Sequence, residues 1–492
     1  MDRPVEGPSS AMAVSQALYR TGLRALRALS PALMKGESKL ARGLRGRRHA
    51  HERLIAWARG LRPDGESDRG GQGDDRAAPT VPVDGPVVWV HASSVGESIQ
   101  ARAVIDVLRG RTPGLQVVFT FFSPSAEGVC GDFPADVCTY LPWDLPEVMG
   151  PVLDAVQPSV IVFTQREVWP TLADEAAARG VATVLIAGTL PEGAGRISGP
   201  GRILLGPAFR SLRAVAAVSK EDGQRFGLLG VRSDRVTVTG DPGMDAARER
   251  VAEIDREAPH MRIFGDGRGP ILVAGSTWPS DEDVLLPALA RVRESVPGLR
   301  IVLAPHEPDG YDFYNLRRRL AGDGWTPALL GEAEGVATAE GAGEAEGAGE
   351  AVEVGTGQGP DAILVDRVGV LADLYTLASV AYVGGGFHRA GLHSVLEPAA
   401  AGAPVLIGPR YQGSVHATGL LTAGAARTVA DAEALTHALG EWLEAPEKNQ
   451  ERAQRGRDYI KNRRGSAGWT ADMITQFSPP QARPGNLSKG ET

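Results

Sequence analysis

The chain has 492 residues, of which 42% are apolar and 23% are charged, a composition that excludes a single small module and global disorder and predicts two or three domains. The only cysteines, Cys130 and Cys138, are too few for a disulfide scaffold and are typical of a reducing compartment. Residues 11–62 carry twelve Lys and Arg against two Glu, so this +10 segment leaves −18 for the rest of a chain whose net charge is −8. A basic segment ahead of an acidic body predicts a negatively charged partner, either nucleic acid or an anionic membrane surface.

The first predicted element lies within this basic segment. From Leu18 the pattern places leucines on one face of a helix and arginines elsewhere, and we expect Pro31 to divide it into two short helices. A basic amphipathic helix is typical of a membrane interface, although a helix packed on the body with solvated arginines has the same pattern. Arginines interrupt the longest apolar stretches near the N-terminus every three or four residues, so we predict neither a membrane-spanning helix nor a signal peptide, and no export.

Two sets of short apolar runs follow a flexible linker that we predict over 63–84. Strands are predicted at 87–92, 115–122, 137–143, 160–164, 181–188, 214–219 and 236–240, and then at 270–276, 300–306, 362–366, 380–386 and 404–409. Runs that are apolar throughout and alternate with helices predict parallel sheets covered on both faces, in two consecutive α/β domains. We expect a charged connection over 246–268, a disordered acidic insertion over 331–360 and a loose tail over 478–492.

Two acidic residues lie just beyond the carboxyl ends of predicted strands. Glu97, in HASSVGES, falls in the first turn of the helix after strand 87–92, and Glu167, in TQREVWP, follows strand 160–164. This end of an open α/β sheet is the usual ligand crevice, so Glu97 is a candidate general base and Glu167 a second candidate for catalysis. A carboxylate near a helix N-terminus also compensates the helix dipole without catalysis, and position alone does not separate the two roles.

The second domain carries a glycine-rich junction, VAYVGGGFHRAGLHSVLEP, in which a strand and three glycines precede a helix. Such a junction lets phosphate approach backbone N–H groups, which makes candidate contacts of Gly385, Gly386 and Arg389, with Ser276 on a neighbouring strand end. The spacing fits neither the dinucleotide fingerprint nor the P-loop. Glu397 either accepts hydrogen bonds from a ribose diol or caps a loop. No metal-ligand spacing is present, and we predict no metal and no cofactor.

Taken together, these motifs resemble those of the Kdo transferases, which pass 3-deoxy-D-manno-octulosonic acid (Kdo) from CMP-Kdo to a lipid A precursor. The resemblance extends from about residue 12 to about residue 430 and rests on HASSVGES (91–98), YLPWDLP (140–146), EVWP (167–170), VTGDPGMD (238–245), GSTWPSDED (275–283), APHEP (304–308) and GGGFHRAGLHSVLEPAA (384–400).

The resemblance implies a GT-B fold, with two Rossmann-like domains whose parallel sheets face a cleft. It implies an acceptor domain over 85–245, a nucleotide-binding domain over 269–475, and inversion without a metal ion. Glu97 would be the general base and Glu167 would support the transition state. The implied contacts to CMP are Pro305, His306, Val368, Gly369, Val370, Ser394, Val395, Leu396 and Glu397.

The resemblance also favours the membrane over nucleic acid as the partner of the basic segment, because the implied acceptor is an anionic lipid. We therefore predict that residues 12–62 associate with the anionic surface of the inner membrane. The protein would then be peripheral, on the cytoplasmic face, and would bind no nucleic acid.

Three positions depart from the family pattern. Gly243 stands where a Lys or Arg is usual, His306 replaces an Arg, and Val370 replaces an acidic residue. The change at Gly243 removes a cation that is expected to stabilise the departing CMP. Arg389 or His388 is a candidate substitute for this cation. These departures keep two alternatives open, namely a GT-B enzyme with another sugar nucleotide or acceptor and a catalytically silent paralogue.

Overall fold

The computed structural model describes residues 10–36, 38–60, 85–131, 133–264, 269–341, 359–463 and 465–477. Contacts divide the chain into two compact units, one formed by Met1–Ala246 with Gly465–Thr492 and the other by Ala247–Arg464. Each unit contains one seven-stranded sheet, and every pairing of strands in both sheets is parallel. The predicted α/β class with two parallel sheets is confirmed.

The first unit begins with three helices, α1 (Ser10–Leu33), α2 (Lys39–Arg48) and α3 (Ala50–Ala58). Its strands are β1 (Val87–Ala92), β2 (Gln116–Phe121), β3 (Val137–Tyr140), β4 (Val160–Thr164), β5 (Ala182–Gly188), β6 (Ala214–Ala217) and β7 (Val236–Val238), in the spatial order β3-β2-β1-β4-β5-β6-β7. The helices between and after them are α4 (Val95–Arg111), α5 (Pro146–Val156), α6 (Pro170–Ala178), α7 (Gly199–Ser211), α8 (Lys220–Phe226) and α9 (Pro242–Ala252), of which the residues from Ala247 onward belong to the second unit.

The central strand β1 shows why the sequence pattern predicted this sheet. All six of its residues are buried. Val88 and Val90 belong to one apolar cluster and Trp89 to another, as the alternation of side chains along a strand requires. Both faces are therefore covered, which is the environment in which a strand is apolar throughout.

The basic segment is part of the first unit, which corrects its assignment as a separate domain. Leu54 lies fully buried in the same apolar cluster as Trp89, and Tyr19 donates a hydrogen bond of 2.9 Å to the buried carboxylate of Asp144. Helix α1 also continues through Pro31 rather than dividing there. Proline has no N–H to give the carbonyl of Arg27, and the Ser30 hydroxyl donates to that oxygen instead, at 2.8 Å.

The last helix, α18 (Ser466–Thr475), also belongs to the first unit, whereas the sequence analysis assigned it to the second domain. The Asp245 carboxylate accepts from the backbone N–H of Gly465 at 2.8 Å and of Ala467 at 2.9 Å. Ile474 is fully buried in the core cluster of the first sheet. These partners lie about 220 residues away along the chain, and no local pattern could reveal them.

The second unit has strands β8 (Ile271–Thr277), β9 (Arg300–Pro305), β10 (Pro327–Leu329), β11 (Ala362–Leu364), β12 (Val380–Val383), β13 (Val405–Ile407) and β14 (Ala426–Thr428), in the order β10-β11-β9-β8-β12-β13-β14. Its helices are α10 (Pro279–Ser295), α11 (Phe313–Gly322), α12 (Leu330–Gly341), α13 (Leu371–Leu374), α14 (Leu396–Ala401), α15 (Val415–Thr422), α16 (Ala432–Leu443) and α17 (Pro446–Lys461). The edge strands β10 and β14 were not predicted, because their few residues are largely half-buried and form no apolar run.

The predicted disorder of 331–360 is wrong for its first part, since α12 covers the residues up to Gly341. Ala333 is buried against the second sheet, and the Glu332 and Glu334 carboxylates pair with Arg317 and Arg367. Acidic residues in a low-complexity run are therefore held by basic partners elsewhere in the unit. The rest of this insertion through residue 358, the linker over 63–84 and the tail over 478–492 lie outside the described residues.

Cys130 and Cys138 form a disulfide with their Cα atoms 5.7 Å apart. It links the end of the 3₁₀ helix Pro124–Gly131 to β3. The sequence analysis did not predict this pairing. Among the described helices, none is both long enough and apolar enough to cross a bilayer.

Candidate active site

Glu97 lies at the start of α4, directly after the carboxyl end of β1. The Ser94 hydroxyl caps the helix by accepting from the Glu97 N–H, and the Glu97 carboxylate reaches back to accept from the Ser93 N–H at 2.6 Å. The helix-capping role that the sequence analysis left open is therefore present. It uses only one of the two carboxylate oxygens, so it does not exclude catalysis.

The electrostatic environment of Glu97 suits a general base. Its side chain is 7% exposed, and burial raises its pKa from the ordinary 4.5 to about 7. The Ser93 N–H opposes this shift because it stabilises the carboxylate, whereas the nearby charge of Glu167 adds to it. A carboxyl group that titrates near neutral pH can take up a proton during the reaction and release it afterwards.

Glu167 follows β4, the strand next to β1, and is connected to Glu97 through Ser93. The Ser93 hydroxyl donates to Glu167 Oε2 at 2.5 Å, and Arg196 donates to Glu167 Oε1 at 3.2 Å. The structure thus brings the two predicted acids to one serine. The sequence analysis missed Arg196, which lies in an isolated 3₁₀ turn with no motif around it.

Residues near the two acids in the sequence form two further sets of hydrogen bonds. The Trp169 indole N–H donates to His91 Nε2 at 2.9 Å, and burial lowers the pKa of this histidine to about 3. Further along, Gln165 donates to Gln100, whose amide donates to Asp241 at 2.8 Å. His91 is therefore neutral, and its Nε2 accepts the hydrogen bond that fixes the indole ring of Trp169. Trp169 follows Glu167 by two residues in the sequence.

In the second unit the predicted phosphate contacts gather where β8 and β12 end side by side. The Gly384 N–H donates to the Gly275 carbonyl at 2.9 Å, and a Cβ at Gly384 would overlap the Ser276 carbonyl. Ser276 itself has a φ of 54°, a conformation that few residues other than glycine adopt. Gly384 is thus required for the close packing of the two strand ends.

Asp281, in the first turn of α10, holds this glycine-rich loop together. Its fully buried carboxylate accepts from the N–H groups of Trp278 and Gly385 and from the Tyr382 hydroxyl, and also from Phe387 N–H. The Gly385 N–H is therefore already engaged, which disfavours it as a phosphate contact. Gly386 and the exposed Arg389 remain predictions.

Aromatic and imidazole rings from three strand ends meet around Trp278. The His388 ring stacks on Trp278 with centroids 3.9 Å apart, His306 lies 4.7 Å from it, and the Trp278 N–H donates to His393 at 2.9 Å. Burial and the two other histidines lower the pKa of His393 to about 4. His306, predicted from the APHEP motif, is thus brought to the glycine-rich loop.

The other predicted nucleotide contacts lie around Glu397. Burial raises its pKa, and the charge of Asp373 adds to the shift while that of Arg250 opposes it. Arg250 pairs with Asp373 at 2.6 Å and donates to the Gly369 carbonyl at 3.3 Å, which joins the predicted Gly369 turn to this group. The sequence analysis missed Arg250 and Asp373, which no motif marks.

The remaining predicted contacts differ in what they can offer a ligand. Val368 is 79% exposed, and Val370 precedes α13. Pro305 is buried at the end of β9. The side chains of Val395 and Leu396 are also buried, so only the backbone of these two residues could contact a ligand. Ser394 is exposed, and its hydroxyl accepts from the Leu396 N–H.

Comparisons with known proteins agree with the motifs. A family model described as 3-Deoxy-D-manno-octulosonic-acid transferase (kdotransferase) matches residues 66–246. The 3-deoxy-D-manno-octulosonic acid transferase of Bordetella pertussis is 29% identical over 442 residues, which cover 86% of this chain and 95% of the relative. The enzyme of the same name from Haemophilus influenzae is 24% identical over 399 residues, 79% of this chain and 87% of the relative.

Among solved structures, UDP-GlcNAc 2-epimerase from Neisseria meningitidis bound to UDP-GlcNAc superposes with a TM-score of 0.55 at 12% identity, over 80% of this chain and 100% of that chain. At this identity the likeness bears on the fold alone. Together with the two parallel sheets, it confirms the predicted GT-B fold.

Proposed function

We propose that this chain, a glycosyltransferase that belongs to the Kdo transferase family, transfers Kdo from CMP-Kdo to a lipid A precursor such as lipid IVA. The transfer would proceed with inversion at the anomeric carbon, as a step of lipopolysaccharide inner-core biosynthesis. The observation that carries the proposal is the buried Glu97 carboxyl beside Ser93 and Glu167, with its pKa raised to about 7.

Glu97 would remove the proton from the acceptor hydroxyl as its oxygen attacks the anomeric carbon of Kdo. The bond from that carbon to the CMP phosphate oxygen breaks as the new glycosidic bond forms, so a single displacement inverts the configuration. Ser93 holds both acids by donating its N–H to Glu97 and its hydroxyl to Glu167. Glu167 would thereby position Ser93 and keep the pKa of Glu97 high.

The second unit would hold the donor. His306 and the glycine-rich loop at β12 would face the CMP phosphate, and the turn at Gly369 with Ser394 and Glu397 would contact the nucleoside. Rigid support for these groups comes from Asp281, whose carboxylate fixes the loop through Gly385. Such preorganisation lets the loop bind an anion without first having to be ordered.

Membrane association is supported by the way α1 sits on the first unit. Its polar side chains face the body, where Arg20 pairs with Asp174 at 2.9 Å and Arg24 with Glu147 at 2.8 Å. Four of its five leucines are exposed, Leu18 by 68%, Leu29 by 61%, Leu33 by 41% and Leu26 by 37%, whereas Leu23 packs against the apolar cluster around Trp143. We propose that this apolar face lies in the anionic surface of the inner membrane, on the cytoplasmic side.

The decisive assay gives purified protein CMP-Kdo and lipid IVA and follows the product by mass spectrometry. Wild type should form a Kdo-bearing lipid, Glu97→Gln should not, and the exposed helix-start variant Glu221→Gln should behave as wild type. No product from wild type, together with turnover of another sugar nucleotide, would refute the donor assignment.

A second assay tests the membrane face by flotation with phosphatidylglycerol vesicles. The double variant Leu18→Ser/Leu29→Ser should lose vesicle binding, while Leu228→Ser, at a residue 48% exposed elsewhere on the same unit, should retain it. Equal binding by both variants would contradict the proposed surface.

A GT-B enzyme with a different sugar nucleotide is the second candidate, and one observation favours it. Around the glycine-rich loop the family's arginine is replaced by His306, and the Gly385 N–H is bonded to Asp281. A panel of CMP-, UDP- and GDP-sugars in the same assay separates the two candidates, and no turnover with any donor would indicate a silent paralogue.

A further inference from the structure

Arg47, on α2, is a largely buried cation stacked on an aromatic ring. Its guanidinium carbon lies 3.7 Å above the centroid of the Phe122 ring. Its Nε atom is buried and has no hydrogen-bond partner, and across the described parts of the chain no carboxylate pairs with it. Burial lowers the pKa of Arg47 to about 10, and only the neighbouring Tyr140 and Tyr19 oppose that shift. The group is still charged at neutral pH.

Other arginines of the basic segment are used differently. Arg20 and Arg24 pair with carboxylates of the body, and Arg45 donates to the carbonyls of Met34 and Gly36 at 2.7 Å. Burying a charge without a partner costs free energy, which an anionic ligand would recover when it binds. Arg47 therefore has the properties of a binding residue rather than of a structural one.

The contacts of Phe122 connect Arg47 to the residues around Glu97, the candidate general base. Phe122 stacks on Trp169 with centroids 5.3 Å apart. The next residue, Ser123, donates its N–H at 3.0 Å to the carbonyl of Ser93, the residue whose own N–H binds Glu97. The charge of Arg47 also helps to lower the pKa of His91, which precedes Ser93 by two residues in the sequence. The cation and the candidate base thus share one end of the first sheet.

We propose that Arg47, stacked on Phe122, forms a subsite for a phosphate monoester carried by the acceptor substrate, at the same end of the first sheet as Glu97. This inference rests on the proposed function, in which the first unit binds the acceptor. A guanidinium group presents a planar fork of N–H donors that matches two phosphate oxygens, and stacking on a ring engages the face of the group rather than this fork. A phosphate on the acceptor, held there, would orient the attacking hydroxyl toward Glu97.

Phosphate could also reach Arg47 from a membrane lipid headgroup, and the experiments separate these sources. The first measures thermal unfolding with inorganic phosphate or with chloride at matched ionic strength. Wild type should gain stability from phosphate, Arg47→Met should gain less, and Arg48→Met, at an exposed neighbour on α2, should respond as wild type. Without phosphate, Arg47→Met should unfold at the same or a higher temperature, because an unpartnered buried charge is removed.

The second experiment compares acceptor kinetics with lipid IVA and with its dephosphorylated form. Arg47→Met should raise KM for the phosphorylated acceptor by about 10- to 100-fold with little change in kcat. Wild type and Arg47→Met should have equal kcat/KM for the dephosphorylated acceptor. Arg47→Lys keeps the charge but not the planar fork. For the phosphorylated acceptor, its KM should lie between the values of wild type and Arg47→Met.

Three outcomes would overturn the subsite. A lower melting temperature of Arg47→Met without phosphate would show a structural role. The same loss of kcat/KM on both acceptors would show that Arg47 does not read the phosphate. Loss of vesicle flotation with unchanged discrimination between acceptors would assign the cation to a lipid headgroup. If wild type transfers no Kdo at all, the proposed function fails, while phosphate-dependent unfolding still tests Arg47 on its own.

Discussion

The two sheets place very different chemistry at equivalent points. In the first, the order of strands reverses direction between β1 and β4, and the residues that follow them carry Glu97 and Glu167. In the second, the reversal lies between β8 and β12, and the residues that follow carry Trp278 and three glycines. Open α/β sheets bind ligands at such reversals. Topology therefore sets where each site lies, and residue type sets what the site does.

The difference extends to how each unit uses a buried carboxylate. Glu97 keeps an oxygen available and has a raised pKa, which suits proton transfer. Asp281 is surrounded by donors and holds a loop in place. A reactive acid is only partly satisfied, whereas a structural acid is fully hydrogen-bonded.

The largest expected effect is on catalysis in the first unit. Glu97→Gln keeps the size of the side chain but cannot accept a proton, so kcat for Kdo transfer should fall by about a thousandfold. Steady-state kinetics would measure this, with Glu221→Gln as the control. A decrease of less than tenfold would exclude Glu97 as the base.

A second comparison sets Asp281 against Asp144, a buried carboxylate of the first unit that also accepts several hydrogen bonds. The Asp144 carboxylate accepts from the N–H groups of Thr171 and Leu172 and from the Tyr19 hydroxyl, and burial raises its pKa to about 6. Asp281→Asn should lower the free energy of unfolding by about 2–4 kcal/mol and weaken CMP binding.

Asp144→Asn should cost more near pH 5 than at pH 8, because the pKa of the wild-type carboxyl is about 6 in the folded protein, and its ionisation at higher pH opposes folding, a penalty that the variant lacks. Chemical denaturation at pH 5 and pH 8 would measure both variants. Equal costs for Asp144→Asn at the two pH values would contradict the raised pKa.

Glu97 should also reveal a cost in stability. Its pKa is higher in the folded protein, at about 7, than the ordinary 4.5, so its charge opposes folding above pH 7 and has no effect below pH 4.5. Glu97→Gln should therefore stabilise the protein by up to about 3 kcal/mol at pH 8 and by nearly nothing at pH 4. Urea unfolding at both pH values checks this, and a destabilised variant at pH 8 would indicate that capping dominates.

The smallest effect is a shift in the pH profile. The charge of Glu167 raises the pKa of Glu97, so Glu167→Gln should move the acidic limb of kcat/KM to lower pH while also reducing the rate. A profile measured from pH 5 to pH 9 would show the shift. A limb displaced to higher pH would mean that the two acids do not interact as the geometry indicates.

The fold could be predicted well where burial is uniform. The runs at 87–92 and 160–164 coincide with β1 and β4, because central parallel strands are apolar on both faces. The two acids were found from their place after these strands. Trp278 was visible in a motif, but its three histidine neighbours come from two other loops, His306 from one and His388 with His393 from the other, and only folding shows that they share one indole ring.

The amino-acid sequence by itself determined the two parallel sheets, the positions of Glu97, Glu167 and the glycine-rich loop, and the charge of the first helices, since all of these depend on local pattern. Only the tertiary structure decided which side of α1 faces outward, which unit holds α18, and that Arg47 is largely buried with no carboxylate paired to it among the residues that the structure describes. These depend on partners far away along the chain, and the energy of a charge is set by its surroundings rather than by its neighbours in sequence.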